Sequence, residues 1–279
     1  MSTDTVATTT APRHLATSEA RVTAGGLLRG EWTKFRSLSS SWWTLGGGLA
    51  FMVLLGVVFA SSSTGPGGPG DGGPGGGGFS VDPASLSLAG YNIAQLAIAV
   101  LGVLMVTGEY ASGTIRGTFS AVPRRWPVVV AKAAVLAGVL WVTTTIASFA
   151  AFSAGQAAYG DGAASITDDG VLRMVLGTGL YLTAVGLFAM AIAWLLRSTA
   201  AAVGTVLGLV LVVPGLTGLL PDSWGPDVAR WLPTEAGGSI MSLVTDSTGF
   251  APWTGYAVLV GWVAVLLVTA TVLLKRRDV

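Results

Sequence analysis

Six separate runs of about twenty apolar residues leave this chain few ways to fold. A hydrocarbon layer about 30 Å thick is crossed by roughly twenty helical residues. Inside it every backbone N–H and C=O must be satisfied within the protein, which favours helices. The runs are Ser41–Ala60, Ala89–Thr107, Ala133–Gly155, Leu172–Leu196, Thr199–Leu220 and Thr254–Leu274. Charged residues make up only 10% of the chain, against about 25% in soluble domains. An all-α polytopic membrane protein follows, with a polar leader over residues 1–25 and a six-helix membrane body over 26–279. The first run starts some forty residues in and is too long for a signal-peptide core of roughly 7–15 residues, so it is read as a retained anchor.

Orientation comes from the cations. With six spans, the leader, the second–third loop, the Arg197–Ser198 turn and the C-terminus share one side and hold thirteen of the fifteen Lys and Arg. The other side keeps Arg173 and Arg230 and nine of the fourteen acids. Basic loops stay inside, which predicts both termini in the cytoplasm and a multi-pass protein of the cell membrane.

Several chemistries find no residues to carry them. There is no cysteine and one histidine, His14, in the leader, so no disulfide, zinc site or nucleophile–base pair can be assembled. No catalytic, cofactor-binding or metal site is expected. No basic tract is long enough for nucleic acid. The glycine-rich stretch Thr64–Gly78 lacks a following Lys-Ser/Thr and reads as a linker, not a phosphate cradle. Asp168–Asp169 precedes the fourth span, where carboxylates cap a helix. Pro221–Trp253 mixes aromatic and aliphatic residues with Pro and Gly, a pattern for short helices at or dipping into the outer interface. Asn92, Gln95 and Thr144 are polar residues inside spans. They are candidates to line a substrate path, against the alternative of interhelical hydrogen bonding.

The basic side carries two denser segments. In Leu27–Ser40 the wheel places Leu28, Trp32 and Phe35 on one face, flanked by Arg29 and Arg36, with Lys34 beyond the other edge. Such a helix lies in the headgroup layer. Glu31 falls inside the apolar arc and instead points to contact with another protein segment. The second–third loop runs Gly108-Glu-Tyr-Ala-Ser-Gly-Thr-Ile-Arg116 and on to Pro123-Arg-Arg125, and Pro123 is expected to stop a short helix begun near Glu109. Topology needs only cations, so the Glu-Tyr-x-x-Gly-Thr-x-Arg cluster asks for a further role.

These residues resemble the permease subunits of ATP-binding-cassette transporters with the type-2, exporter-like membrane fold. The resemblance rests on Glu31-Trp-x-Lys-Phe-Arg36 before Ser-Trp-Trp, on Gly108-Glu-Tyr-x-x-Gly-Thr-Ile-Arg116 with Arg124, Arg125 and Ala131-Lys132, and on the terminal Lys-Arg-Arg-Asp278. It spans nearly everything after residue 26. It implies an interfacial elbow helix at 27–40 with Glu31, Trp32, Lys34, Phe35 and Arg36. It also implies a coupling helix from about Glu109 to Ala121, with Glu109, Tyr110, Gly113, Thr114, Arg116, Arg124 and Arg125 as contacts to a separate ATPase. The segment Pro221–Trp253 would form the outer re-entrant helices. No Gly-x-x-x-x-Gly-Lys-Ser/Thr occurs here, so ATP and magnesium would sit on that partner. A second permease copy or a relative would complete the path. Two other classes stay open on the residues: a secondary carrier, which wants an embedded ionisable group, inverted repeats and broken spans, and a non-transporting assembly or immunity factor.

Overall fold

A computed structural model describes residues 23–62, 82–122, 124–221, 223–243 and 249–276. The leader up to residue 22, the glycine-rich stretch 64–78 and Pro123 lie outside these. Every regular element among the described residues is helical. Six helices are long and apolar enough to cross a membrane. In order, α1 (Ala24–Ser37) leads into the first span, α2 (Ser39–Ser62). A short α3 (Pro83–Leu88) abuts the second span, α4 (Tyr91–Ala111). Then come α5 (Thr114–Ala121), the third span α6 (Trp126–Tyr159) and the fourth, α7 (Val171–Leu196). The fifth span joins α8 (Thr199–Leu207) to α9 (Val213–Thr217) through a π-helical stretch, Gly208–Val212. Short α10 (Gly225–Ala229) and α11 (Pro233–Gly238) precede the last span, α12 (Pro252–Arg276).

The spans are not equivalent. α7 is the hub, with 78% of its most apolar window buried, whereas the fifth span has 17% buried. Its neighbours α4 and α6 come close because small residues face each other. A Cβ on Gly102 would strike the Gly186 backbone, and one on Gly179 would strike Thr145. Packing of this kind, without a hydrophobic drive between helices, is what holds spans together in lipid. Thr144 adds to the α6–α7 seam: fully buried, its hydroxyl contacts Leu140 O at 2.6 Å and Gly179 O at 3.0 Å. It therefore belongs to helix packing, not to a path lining.

Boundaries differ from the sequence expectation where charges were taken as edges. α6 starts at Trp126, with Pro127 in its first turn, and runs 34 residues, so Lys132 lies within it. α4 continues to Ala111 and takes in Glu109. The expected helix from Glu109 to Ala121 is thus two helices, broken at Ser112–Gly113. Gly113 has φ +72°, a left-handed conformation suited to glycine, and this reverses the chain into α5. The elbow ends at Ser37, with Leu38 as the hinge into α2.

On the side opposite the described ends, here the distal face, Gln156 fastens the α3 corner. Its amide donates to Pro83 O and Ser87 Oγ, and its carbonyl accepts from Ala164 N. The expected carboxylate cap on the fourth span is absent. Gly170 occupies the N-cap, and Asp168 instead accepts from Ser165 N at 2.7 Å within the loop.

Candidate coupling site and distal cavity

On the terminal face, where α1 begins and α12 ends, four charged side chains from three helices meet. Glu31 of α1 is 1% exposed and Lys132 of α6 is 1% exposed. Glu31 binds Lys34 Nζ through Oε1 at 2.9 Å and Lys132 Nζ through Oε2 at 2.5 Å. Glu109 of α4 accepts from both lysines on Oε1, at 3.0 and 2.9 Å. Lys34 reaches further, 3.3 Å to Thr118 Oγ1 on α5. Two acids and two bases sum to zero, which makes burial at a membrane boundary tolerable. Glu109 also sits in the last turn of α4, where the helix dipole disfavours an anion, so it needs these cations. Its Oε2 is buried without a partner among the described residues. Burial alone would lower the pKa of Lys34, but the hydrogen bonds and charges of Glu31 and Glu109 outweigh this and hold it above its ordinary value.

This arrangement explains the misplaced acid of the elbow. Glu31 and Phe35 turn into the protein, whereas Leu28, Trp32 and Leu38 stay exposed. Trp32 stacks beside Phe35, and Phe35 meets Trp42 edge-on at 5.4 Å. Arg36 is exposed.

The remaining motif residues divide into outward and inward groups. α5 buries Ile115 and Phe119 and leaves Gly113, Thr114 and Arg116 on the surface. Thr114 pairs only locally, with Ser112 Oγ at 2.9 Å. Arg124 is exposed as well. Arg125 is engaged inside the chain: its Nη1 donates to Leu274 O at 2.6 Å and its guanidinium lies 5.4 Å over the Phe119 ring. It ties α5 to the end of α12, a place where a cation also suits the dipole. Tyr110 packs edge-on against Trp194 and under Arg197, the one non-glycine residue with positive φ among those described. Lys132 and Thr118 were not singled out as site residues from sequence. The signal for Lys132 was there, in a cation next to an apolar run that needed an acid.

A second feature opens on the distal face, a cavity of about 720 Å³. Asn92 and Gln95 line it, together with Tyr91, Tyr181, Arg230 and Glu235. Gln95 is 5% exposed and accepts from Tyr181 OH at 2.8 Å. Tyr181 in turn meets Tyr91 edge-on at 5.8 Å. The floor under the distal segment is fixed by Arg173, which donates to Ile240 O and Ser242 O at 2.9 and 3.0 Å. One wall comes from the fifth span, through Val210 and Leu211 of its π-helical stretch and Pro214 of α9. Pro214 has no N–H for Val210 O. The wider turn accommodates this by sending Val213 N to Gly208 O. Such turns recur beside functional sites.

The ABC-2 family transporter protein model matches residues 32–279. No curated protein matches the chain.

Proposed function

The chain belongs to the ABC-2 transporter family and is a permease of ABC-type transport, and on that premise we propose that it is an exporter subunit driven by a separate ATPase docked on α5. The terminal face is then cytoplasmic in the cell membrane, in keeping with the thirteen of fifteen cations on that side. ATP and magnesium bind the partner, and a second copy or a related permease completes the path. Exposed Thr114, Arg116 and Arg124 form the docking surface. Motion of α5 passes inward through Lys34, which touches Thr118 and Glu109 together. Glu109 and Lys132 hand it to α4 and α6, and Glu31 holds the elbow to the same node. The cavity at the other end is the distal part of the path, which opens as the permeases exchange states.

The carrying observation is the neutral ion quartet that joins elbow, coupling helix and two spans. The test is recovery of an ATP-binding-cassette ATPase in a mild-detergent pull-down of the chain from native membranes. Arg116→Glu should abolish recovery, because it reverses an exposed charge on the docking surface. Failure to recover any ATPase with the native chain, even after crosslinking, overturns the proposal.

A further inference from the structure

Several polar groups around the distal cavity are hydrogen-bonded within the protein. Asn92 Nδ2 donates to Ala89 O at 3.2 Å, Ser239 Oγ to Ala236 O at 2.7 Å, and Tyr181 OH to Gln95. Arg230 is the wall's cation, and it is already matched: Nη2 pairs with Asp227 at 3.0 Å and the guanidinium lies 5.6 Å over the Phe250 ring. Its Nε is buried and unpaired, as is Thr234 Oγ1. Glu235 has no hydrogen bond or ion pair among the described residues and lines the cavity as an open carboxylate. Arg230 is paired with Asp227, which leaves Glu235 as the charged group of the described wall without a charged partner.

We propose that this cavity binds an amphipathic organic cation, a protonated amine on an aromatic or aliphatic body, with its charge at Glu235. The volume falls within the range of roughly 300–1,000 Å³ that holds drug-sized ligands. An amine supplies N–H donors to the Glu235 carboxylate. The Tyr91 ring offers a face to the positive charge, and Val210, Leu211 and Pro214 receive the apolar body. An anion of the same size meets the carboxylate and is refused. The ammonium–carboxylate contact is a charge-assisted hydrogen bond, stronger than one between neutral groups. Partial burial raises the pKa of Glu235 above its ordinary value.

The inference deepens the reading of the cavity as part of the transport path and is tested without the ATPase. The full chain in lipid nanodiscs is titrated with rhodamine 6G, a cationic xanthene dye, and with fluorescein, its anionic counterpart, and empty nanodiscs are subtracted. Saturable rhodamine 6G binding is expected, with fluorescein bound at least about tenfold more weakly. Glu235→Gln should weaken the cation by about tenfold or more. Asp161→Asn, which removes an exposed acid of the same face outside the cavity, should leave it unchanged. Equal binding by Glu235→Gln and native protein, equal binding of the two dyes, or no saturable binding of rhodamine 6G overturns the inference. If cation binding fails while the ATPase still co-purifies, the cavity assignment falls and the permease reading stands. If the ATPase is lost while Glu235-dependent binding holds, the reverse is true.

Discussion

At the terminal face two lysines and two glutamates meet, Glu31 and Lys132 buried and Lys34 and Glu109 half-buried, and three of the four carboxylate oxygens find an ammonium group. At the distal face a single carboxylate, Glu235, faces a cavity with no partner, beside two further unpaired polar atoms. Both regions gather polar groups, yet one spends them on itself and the other keeps them open. Charges that satisfy one another fasten helices into a unit that moves together. Charges left open are available to a visitor. The same six spans therefore present a lever at one end and a receptacle at the other.

The sharpest way to break this contrast is to unbalance the quartet. Lys132→Met leaves two buried acids sharing Lys34 and should cost about 3–5 kcal/mol, seen as a large fall in the unfolding midpoint in detergent. Glu31→Gln with Lys132→Met should lose clearly less than the sum of the single changes, since the two groups touch at 2.5 Å. Additive losses would mean that the pair is not coupled. Next in size, Glu109→Gln keeps the shape of the node and removes its charge. It should leave ATPase recovery intact while transport falls about tenfold, within the usual range of coupling between sites. Parallel loss of both would make Glu109 a docking residue and not a transmitter.

Smaller effects sharpen the distal side. Thr144→Val removes a hydroxyl bonded across the α6–α7 seam and should lower stability by about 0.6 kcal/mol, with rhodamine 6G binding unchanged. A change in binding would return Thr144 to the path. The least effect belongs to pH. Glu235 is raised above its ordinary 4.5 by burial, so its contribution is fully present below that value and is lost as pH rises through its folded pKa. Native protein should lose slight stability on going upward from about pH 4.5, and Glu235→Gln should remove that slope. Identical pH profiles would show that the carboxylate is not desolvated.

Much of this was legible before any coordinates. Apolar runs of span length fixed an all-helical membrane architecture, and the Arg197–Ser198 turn appeared where two runs nearly touch. Glu31 could be recognised as out of place on an amphipathic helix, and Asn92 and Gln95 as polar residues in spans. What stayed hidden is physical in origin. Charges next to apolar runs look like span edges, so Glu109 and Lys132 were placed in water, though pairing lets both continue inside helices. Sequence spacing also does not say which neighbour a hydroxyl meets, so Thr144 could not be told from Asn92. Arg125 resembled a docking cation and is instead held by Leu274 O. Glu235 stood in a segment without periodicity, where nothing announces a cavity wall.

The π-helical stretch of the fifth span also sets a rotational phase. One residue of an α-helix subtends about 100°, and a π turn holds one extra residue. Everything from Val213 onward is therefore turned by about that much relative to a plain continuation of α8. Val210 and Leu211 within the π-helical stretch and Pro214 just after it line the cavity. The fifth span thus keeps its cavity-facing side by count as much as by composition. Removal of Leu209, which does not line the cavity, would turn the distal end of the span by about 100° relative to its start.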